Sequence, residues 1–260
     1  MPARESEALI LRTYPFREAD LVVVFYTRDR GKLRGIARGV RRPKSRYGAS
    51  LERLAHVRVS YFQKQTVELV RIDRAELAGP SLTMRVDYAG SLALDYLAEV
   101  ADGLLPDHEP SDAHFRLITL CLDEMLRAAE DGWSSDGLPA RTWRLLTYYA
   151  LWSLRLSGWL PPLNRCLDTG GALAEDQTAW FDRAHDGLLS PAARTGDSWP
   201  LSAPSRALAQ RMLRTNIRDL DGEPWTAETG RDLRRFLNQR LESHFERRMR
   251  AWPRLMELEG

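Results

Sequence analysis

The chain has 260 residues, 43% hydrophobic and 28% charged, enough apolar content for a packed core in one large domain or two modest ones. Its apolar stretches are broken by Arg, Asp or Pro far short of the ~20 residues needed to span a bilayer, and residues 1–7 hold no apolar leader core, so a soluble, cytoplasmic chain without a membrane partner is expected. Two cysteines, Cys121 and Cys166, frame neither a disulfide scaffold nor a paired metal-ligand spacing, and the net charge of +2 hides a division: residues 1–80 hold 17 Lys or Arg against 9 Asp or Glu, while the remaining 180 hold 21 against 27.

From Glu7 to about Ala78, short strand patterns alternate with turn signals. Ala8–Arg12 is apolar, and Thr13–Arg17, with Pro15 inside it, reads as a break. Leu21–Thr27 is a β-branched and aromatic run that ends in the turn Arg28-Asp29-Arg30-Gly31. Lys32–Val40 follows, and its Gly35 and Gly39 predict the bends of a closed or tightly curved sheet. Arg41–Ser50 reads as a polar loop, after which Leu54–Phe62 and Thr66–Ile72 form a hairpin around Gln63-Lys64-Gln65. Five short strands in about 75 residues are the size and count of an OB-fold β-barrel.

After Pro80 the period becomes that of helices. Ser81 caps a predicted helix running to about Leu104, and Ser111 caps a second with the stripe Phe115, Ile118, Leu122 and Met125. Pro139 suits the first turn of a third, which carries Trp143, Leu146, Ala150 and Leu154 and ends at Gly158. Residues 159–200 are rich in Gly, Pro and Asp and predict turns with a small hairpin; helices resume at about 204–214 and 226–250. The fold class is α+β: an OB-fold nucleic-acid-binding domain over residues 1–80, then a larger all-α helical domain over 81–260 with an irregular insert at 159–200.

The segment Arg28–Arg46 holds Arg28, Arg30, Lys32, Arg34, Arg38, Arg41, Arg42, Lys44 and Arg46, opposed within it by Asp29 alone. So dense a run of like charge calls for water or an anion opposite. In a strand, Lys32, Arg34 and Arg38 share one face and Leu33 and Ala37 the other, which presents cations outward and apolar atoms to a barrel core. The loop from Arg41 to Gly48 adds Arg42, Lys44, Arg46 and Tyr47, a ring placed to stack on a base. Phosphate neutralisation releases counterions without regard to sequence, so the candidate nucleic-acid-binding residues are Arg28, Lys32, Arg34, Arg38, Arg41, Arg42, Lys44, Arg46 and Tyr47. The bland alternative is a solvated face that serves solubility, and the basic ribbon by itself leaves open an RNA-binding module of translation or decay.

The runs Ala8–Thr13, Glu18–Val22 and Phe25–Arg46 resemble the N-terminal domain of the bacterial recombination mediators of the RecO family, with weaker likeness at Leu51–Phe62, Asn164-Arg165-Cys166 and Leu233–Arg248. The resemblance implies an OB-fold followed by a helical domain, acting in the RecF pathway of DNA repair. It implies binding of single- and double-stranded DNA, annealing of complementary strands, association with RecR, and contact with the acidic C-terminal tail of the single-strand binding protein, so that RecA replaces that protein. An apolar groove beside Arg residues of the third helix suits such a tail. Many relatives carry two Cys-x-x-Cys pairs in the insert; here these positions read Cys166-Leu-Asp-Thr169 and Ser190-Pro-Ala-Ala193. One thiolate does not hold a tetrahedral structural zinc, and Asp168 and His185 are the remaining donors nearby. The insert is therefore read as a degenerate zinc finger held by packing on Trp159, Trp180 and Phe181, with no metal and no cofactor.

No clustered carboxylates or His-centred frame marks a hydrolase: Asp219 with Asp221, Asp123 with Glu124, and His108, His114 and His244 read as caps, loop residues and solvated faces. No Gly-rich phosphate loop with Lys and Ser or Thr is present, so neither ATP use nor catalysis is expected.

Overall fold

The computed structural model describes residues 3–63, 69–81, 86–130, 138–220, 222, 225–226 and 228–258. Within them β1 (Ala3–Phe16), β2 (Asp20–Thr27), β3 (Gly31–Ala37), β4 (His56–Phe62) and β5 (Val70–Leu77) follow one another, with a single 3-10 turn at Gly48–Leu51 between β3 and β4. They close into a barrel in the order β1-β2-β3-β5-β4. All neighbours are antiparallel except β3 and β5, which pair in parallel over Gly35–Val70, Ile36–Arg71 and Ala37–Ile72. This is the five-stranded OB-fold expected from the strand count.

Period-2 alternation builds the barrel. Val23, Phe25, Leu33, Ala37, Val57, Val59, Tyr61 and Ile72 fill its interior, and the rings of Phe25 and Tyr61 meet edge to face at 6.0 Å. A register shift between Ile10 and Arg12 curves β1 so that one long strand serves two neighbours, β4 with its first half and β2 with its second. Gly35 is required at the parallel seam: a Cβ there would lie 2.8 Å from side-chain carbons of both Val70 and Ile72.

Two expectations about the strands are corrected. β1 continues through Thr13–Phe16, where a break was expected, because Pro15 sits beside the last pair of the ladder, opposite Leu21, and the chain turns only at Arg17 with φ +56°. β5 runs on to Leu77, beyond the expected end at Ile72; of the expected hairpin, residues 64–68 lie outside the described residues.

The first compact unit spans Met1–Ser135 and includes two helices beyond the barrel, α1 (Tyr88–Leu104) and α2 (Asp112–Glu130). α1 starts later than the expected cap at Ser81. Asp87 caps it by accepting the Gly90 N–H at 2.8 Å, while Ser81 donates to Glu52 at 2.7 Å. Ser111 caps α2, its Oγ accepting the His114 N–H at 3.4 Å. α2 is pinned to the barrel where Phe115 packs near Tyr26 and His56, at 6.3 and 5.9 Å between centroids, and where the Tyr26 hydroxyl accepts the Ser111 N–H at 2.7 Å.

The second unit spans Asp136–Gly260. It comprises α3 (Ala140–Leu156), β6 (Ala179–Phe181), β7 (Trp199–Leu201), α4 (Ala203–Met212), a 3-10 turn at Ile217–Leu220, α5 (Arg231–Phe245) and α6 (Ala251–Met256). Trp143 and Leu151 of α3 and Phe236, Leu237 and Leu241 of α5 are fully or nearly fully buried. The helix expected over 226–250 is shorter at both ends, α5 over Arg231–Phe245, because Glu246 adopts φ +52° and closes it; α6 follows beyond that range. No helix among the described residues is long and apolar enough to cross a membrane.

Candidate nucleic-acid interface

The outward face of β3 carries Lys32, Arg34 and Ile36, with Arg38 just past its end, yet these positions have different fates. Lys32 is only 8% exposed. Its ammonium donates to the Asp102 carbonyl at 2.7 Å and lies 3.7 and 3.6 Å from the Asp102 and Asp107 carboxylates. The expectation that it is presented to solvent is therefore corrected: the α1–α2 connection folds over the β2–β3 turn and covers it. The His108 N–H donates to the Lys32 carbonyl at 3.1 Å, and a Cβ on Gly31, whose φ is +72°, would fall 2.4 Å from the Glu109 nitrogen.

The same connection neutralises neighbouring cations. Arg34 donates to Asp107 at 3.1 Å, and Arg28 donates to Asp112 at 2.7 Å and to Glu7 at 3.1 Å. These bonds hold the Arg28 guanidinium above its ordinary pKa; Glu7, although partly desolvated, is held below the usual carboxylate range by Arg28 and His56. One end of the sheet is thus charge-balanced by the protein's own acids.

The other end differs. Arg38, Arg41, Arg42 and Lys44 are exposed, and none has a carboxylate within 4.0 Å among the described residues. The turn that carries them is fastened through the main chain. The Arg41 N–H donates to the Ala19 carbonyl at 3.1 Å, Ser45 N–H to the Arg42 carbonyl at 3.1 Å, and Gly39 N–H to the Asp20 carboxylate at 2.8 Å. The first of these bonds brings the β1–β2 turn alongside, adding exposed Arg17 to the group, with Glu18 beside it. Arg17 was not among the sequence candidates, and the long-range bonds from Arg41 to Ala19 and from Gly39 to Asp20 signal its place.

Tyr47 has a role other than the expected open platform. It is 3% exposed and belongs to the barrel core, and its hydroxyl donates to the Ile72 carbonyl at 3.2 Å. Burial takes both faces of the ring out of reach of a base, which corrects the expectation of stacking. Arg46 lies over this ring at 5.2 Å from the centroid and 3.9 Å from the Asp73 carboxylate, still largely exposed.

In the second unit, the irregular segment after α3 is organised by hydrogen bonds. Arg206 of α4, 2% exposed, donates to the carbonyls of Leu163 (3.0 Å), Ala174 (2.9 Å), Gln177 (2.6 Å) and Leu173 (3.2 Å). Cys166 Sγ accepts the Ser190 N–H at 3.2 Å. Burial raises the thiol, but hydrogen bonds from Thr169 and Ser190 outweigh it and bring its pKa down to about 6. The Cys-x-x-Cys positions thus still converge, with hydroxyl and amide donors where thiolates would be needed. His185, a nearby donor, is committed to Asp182 at 2.8 Å. This residue set does not fit a structural zinc. Phe181 is fully buried as an anchor, whereas Trp159 is 52% exposed and packs at a tilt against His244, so its expected anchoring role is corrected.

Beside the last turn of α3 lies a cavity of about 830 Å³, walled by Trp152, Leu160, Leu163, Leu173 and Leu213, with exposed Arg155 and Arg214 and the acidic Glu175 at its edge. Of the carboxylates and histidines weighed for chemistry, Glu124 pairs with Arg127, His114 bonds to Ser111, and Asp221 lies outside the described residues.

Residues 1–81 match the family model described as the N-terminal part of recombination protein O, and residues 85–253 match its C-terminal counterpart. The chain is 41% identical over 246 residues to a DNA repair protein RecO of Koribacter versatilis, covering 95% of each chain. It is 32% identical to one from an Anaeromyxobacter species, covering 94% of this chain and 91% of that one, and 29% identical to one from Bifidobacterium adolescentis, covering 96% and 98%.

Proposed function

This chain belongs to the RecO family of DNA repair proteins, and from that premise we propose that it is a DNA-binding recombination mediator that works without chemical turnover. The supporting observation is the fastened basic turn: Arg38, Arg41, Arg42 and Lys44 stand exposed without carboxylate partners among the described residues, beside Arg17. Fixed cations in that arrangement suit a phosphate chain and read no bases. Annealing follows from the same surface. Neutralising two backbones reduces their repulsion and raises their local concentration, with no need for fuel.

On this reading the family's partners divide between the two units. DNA, single- or double-stranded, lies on the barrel. The acidic C-terminal tail of the single-strand binding protein enters the open pocket of mixed polar and apolar lining beside α3, with its carboxylates toward Arg155 and Arg214. RecR joins the complex, and RecA replaces the displaced protein indirectly.

The test is oligonucleotide binding by fluorescence anisotropy across a salt series, for the wild type and the triple variant Arg38→Ala, Arg41→Ala, Arg42→Ala. At roughly 0.7 log unit for each phosphate left unneutralised on single strands, the log–log salt slope should become shallower by about 2. An unchanged slope and affinity would remove the nucleic-acid role from this surface, and a strong preference for RNA over DNA of the same sequence would redirect it.

A further inference from the structure

The barrel has a second feature that the basic turn does not account for: an outward row crossing all five strands, apolar or aromatic on β1, β2, β3 and β4 and Arg71 on β5. The registers define it. Phe62 of β4 stands opposite Arg71 of β5, Arg71 opposite Ile36 of β3, Ile36 opposite Val22 of β2, and Val22 opposite Tyr14 of β1. Residues directly opposite across strands project to the same face, and Tyr61, Ile72, Ala37 and Val23, each next in sequence to a member of the row, belong to the barrel core. The row therefore faces outward. Tyr14 is 38% exposed, Arg71 is exposed, and Phe62, Ile36 and Val22 are partly so.

Both ends of the row are arginine–aromatic pairs. The Arg12 guanidinium lies 4.6 Å from the centroid of Tyr14, and that of Arg71 lies 4.5 Å from the centroid of Phe62. With strands about 4.8 Å apart, four steps separate the end rings by roughly 19 Å. Charge distinguishes the two margins. Toward the β2–β3 turn, Arg12 and Arg34 are paired with Asp102 and Asp107 at 2.9 and 3.1 Å. Toward the opposite margin, Arg38 lies two residues beyond Ile36, with Arg41 and Arg42 close behind it.

We propose that this row is the base-contacting track for single-stranded DNA, with Tyr14 and Phe62 as stacking platforms at its ends and the Arg38–Lys44 turn as the rail for the phosphates. The inference rests on the nucleic-acid reading of the barrel and adds to it the side chains that meet bases, which must be unpaired, since those of a duplex keep their faces stacked on one another. Charge complementarity selects the occupant. An apolar strip with free cations along one margin and the protein's own carboxylates along the other matches a polyanion that exposes flat rings on one side. Every base has a π-face, so recognition here is tolerant of sequence.

The test compares Tyr14→Ala, Phe62→Ala and their double variant with the triple arginine variant, using a fluorescent deoxythymidine oligonucleotide and a duplex of equal length over a salt series. Loss of a stacking partner should weaken single-strand binding roughly five- to hundredfold per ring, with the salt slope unchanged because every phosphate keeps its cation, and with duplex affinity unchanged. Tyr14→Leu and Phe62→Leu keep the apolar cover of the sheet, so they hold the fold if the alanine variants do not; they should show the same selective loss. Equal losses on single strand and duplex, or wild-type single-strand binding in the leucine variants, would overturn the proposal. If the triple arginine variant also binds as the wild type does, the nucleic-acid reading itself fails; if only the ring variants are silent, the track alone fails. Wild-type oligonucleotide binding by the ring variants together with lost capture of a protein partner would reassign the row to that partner.

Discussion

Arg206 holds together a stretch of chain that has almost no regular structure of its own. Its buried guanidinium answers four carbonyls from residues 163–177, groups that would otherwise lie without donors. Arg206→Met should therefore destabilise the second unit by about 3 kcal/mol or more, read as a lowered urea midpoint. Arg206→Lys should rescue little, because an ammonium lacks the planar fork that reaches several acceptors at once. Nothing in the sequence around Arg206 marks it out among 35 arginines, since its acceptors lie 29 to 43 positions away. Tyr47 and Lys32 illustrate the same limit from the other direction. Their surroundings in sequence are polar and basic, but the barrel interior takes the ring and the Asp102 carbonyl takes the ammonium. A residue's neighbours along the chain predicted its chemistry, and long-range packing decided whether that chemistry faces water.

Strands and helices were more legible. Alternation located β2 and β4 closely and the start of β3, which ends at Ala37 and not at the expected Val40, and helical stripes located α2 and α3, because those patterns depend on residues within one or two turns of each other. The failures lie at ends, where other forces act: Pro15 tolerated beside the last pair of β1, Asp87 in place of Ser81 at the start of α1, and Glu246 closing α5 in a left-handed conformation. The change from strands to helices falls near residue 80, yet the compact unit runs on to Ser135, since Phe115 and Ser111 fasten α2 to Tyr26. The outward row could not be read at all, because its members come from five strands and meet only through registers. The junction between the β2–β3 turn and the α1–α2 connection depends on Gly31. A methyl group there meets the Glu109 backbone in addition to an unfavourable φ. Gly31→Ala should cost about 2–4 kcal/mol and raise amide exchange at His108, whose N–H is bonded to the Lys32 carbonyl; unchanged exchange would mean that the junction is dispensable.

Across the molecule, the excess of positive charge in residues 1–80 was visible by counting, but its distribution was not. Asp102, Asp107 and Asp112 cancel the cations at one end of the barrel and leave the other end free. On the proposed function, these carboxylates occupy places that phosphates would otherwise take. Asp107→Asn should release Arg34 and steepen the single-strand salt slope by roughly 0.7 for the one further phosphate it neutralises, with tighter binding at low salt. Asp112→Asn should do less, because Arg28 keeps Glu7; equal slopes in all three proteins would show that the acidic connection does not limit the footprint. The turn carrying the free cations has a different dependence. Main-chain bonds and the buried Tyr47 ring keep it in place, so its shape does not rely on the side chains of Arg38, Arg41, Arg42 or Lys44. Attraction for polyanions can then be tuned by single codon changes while the scaffold stays still, and chains built on the same barrel are free to differ widely in grip without differing in architecture.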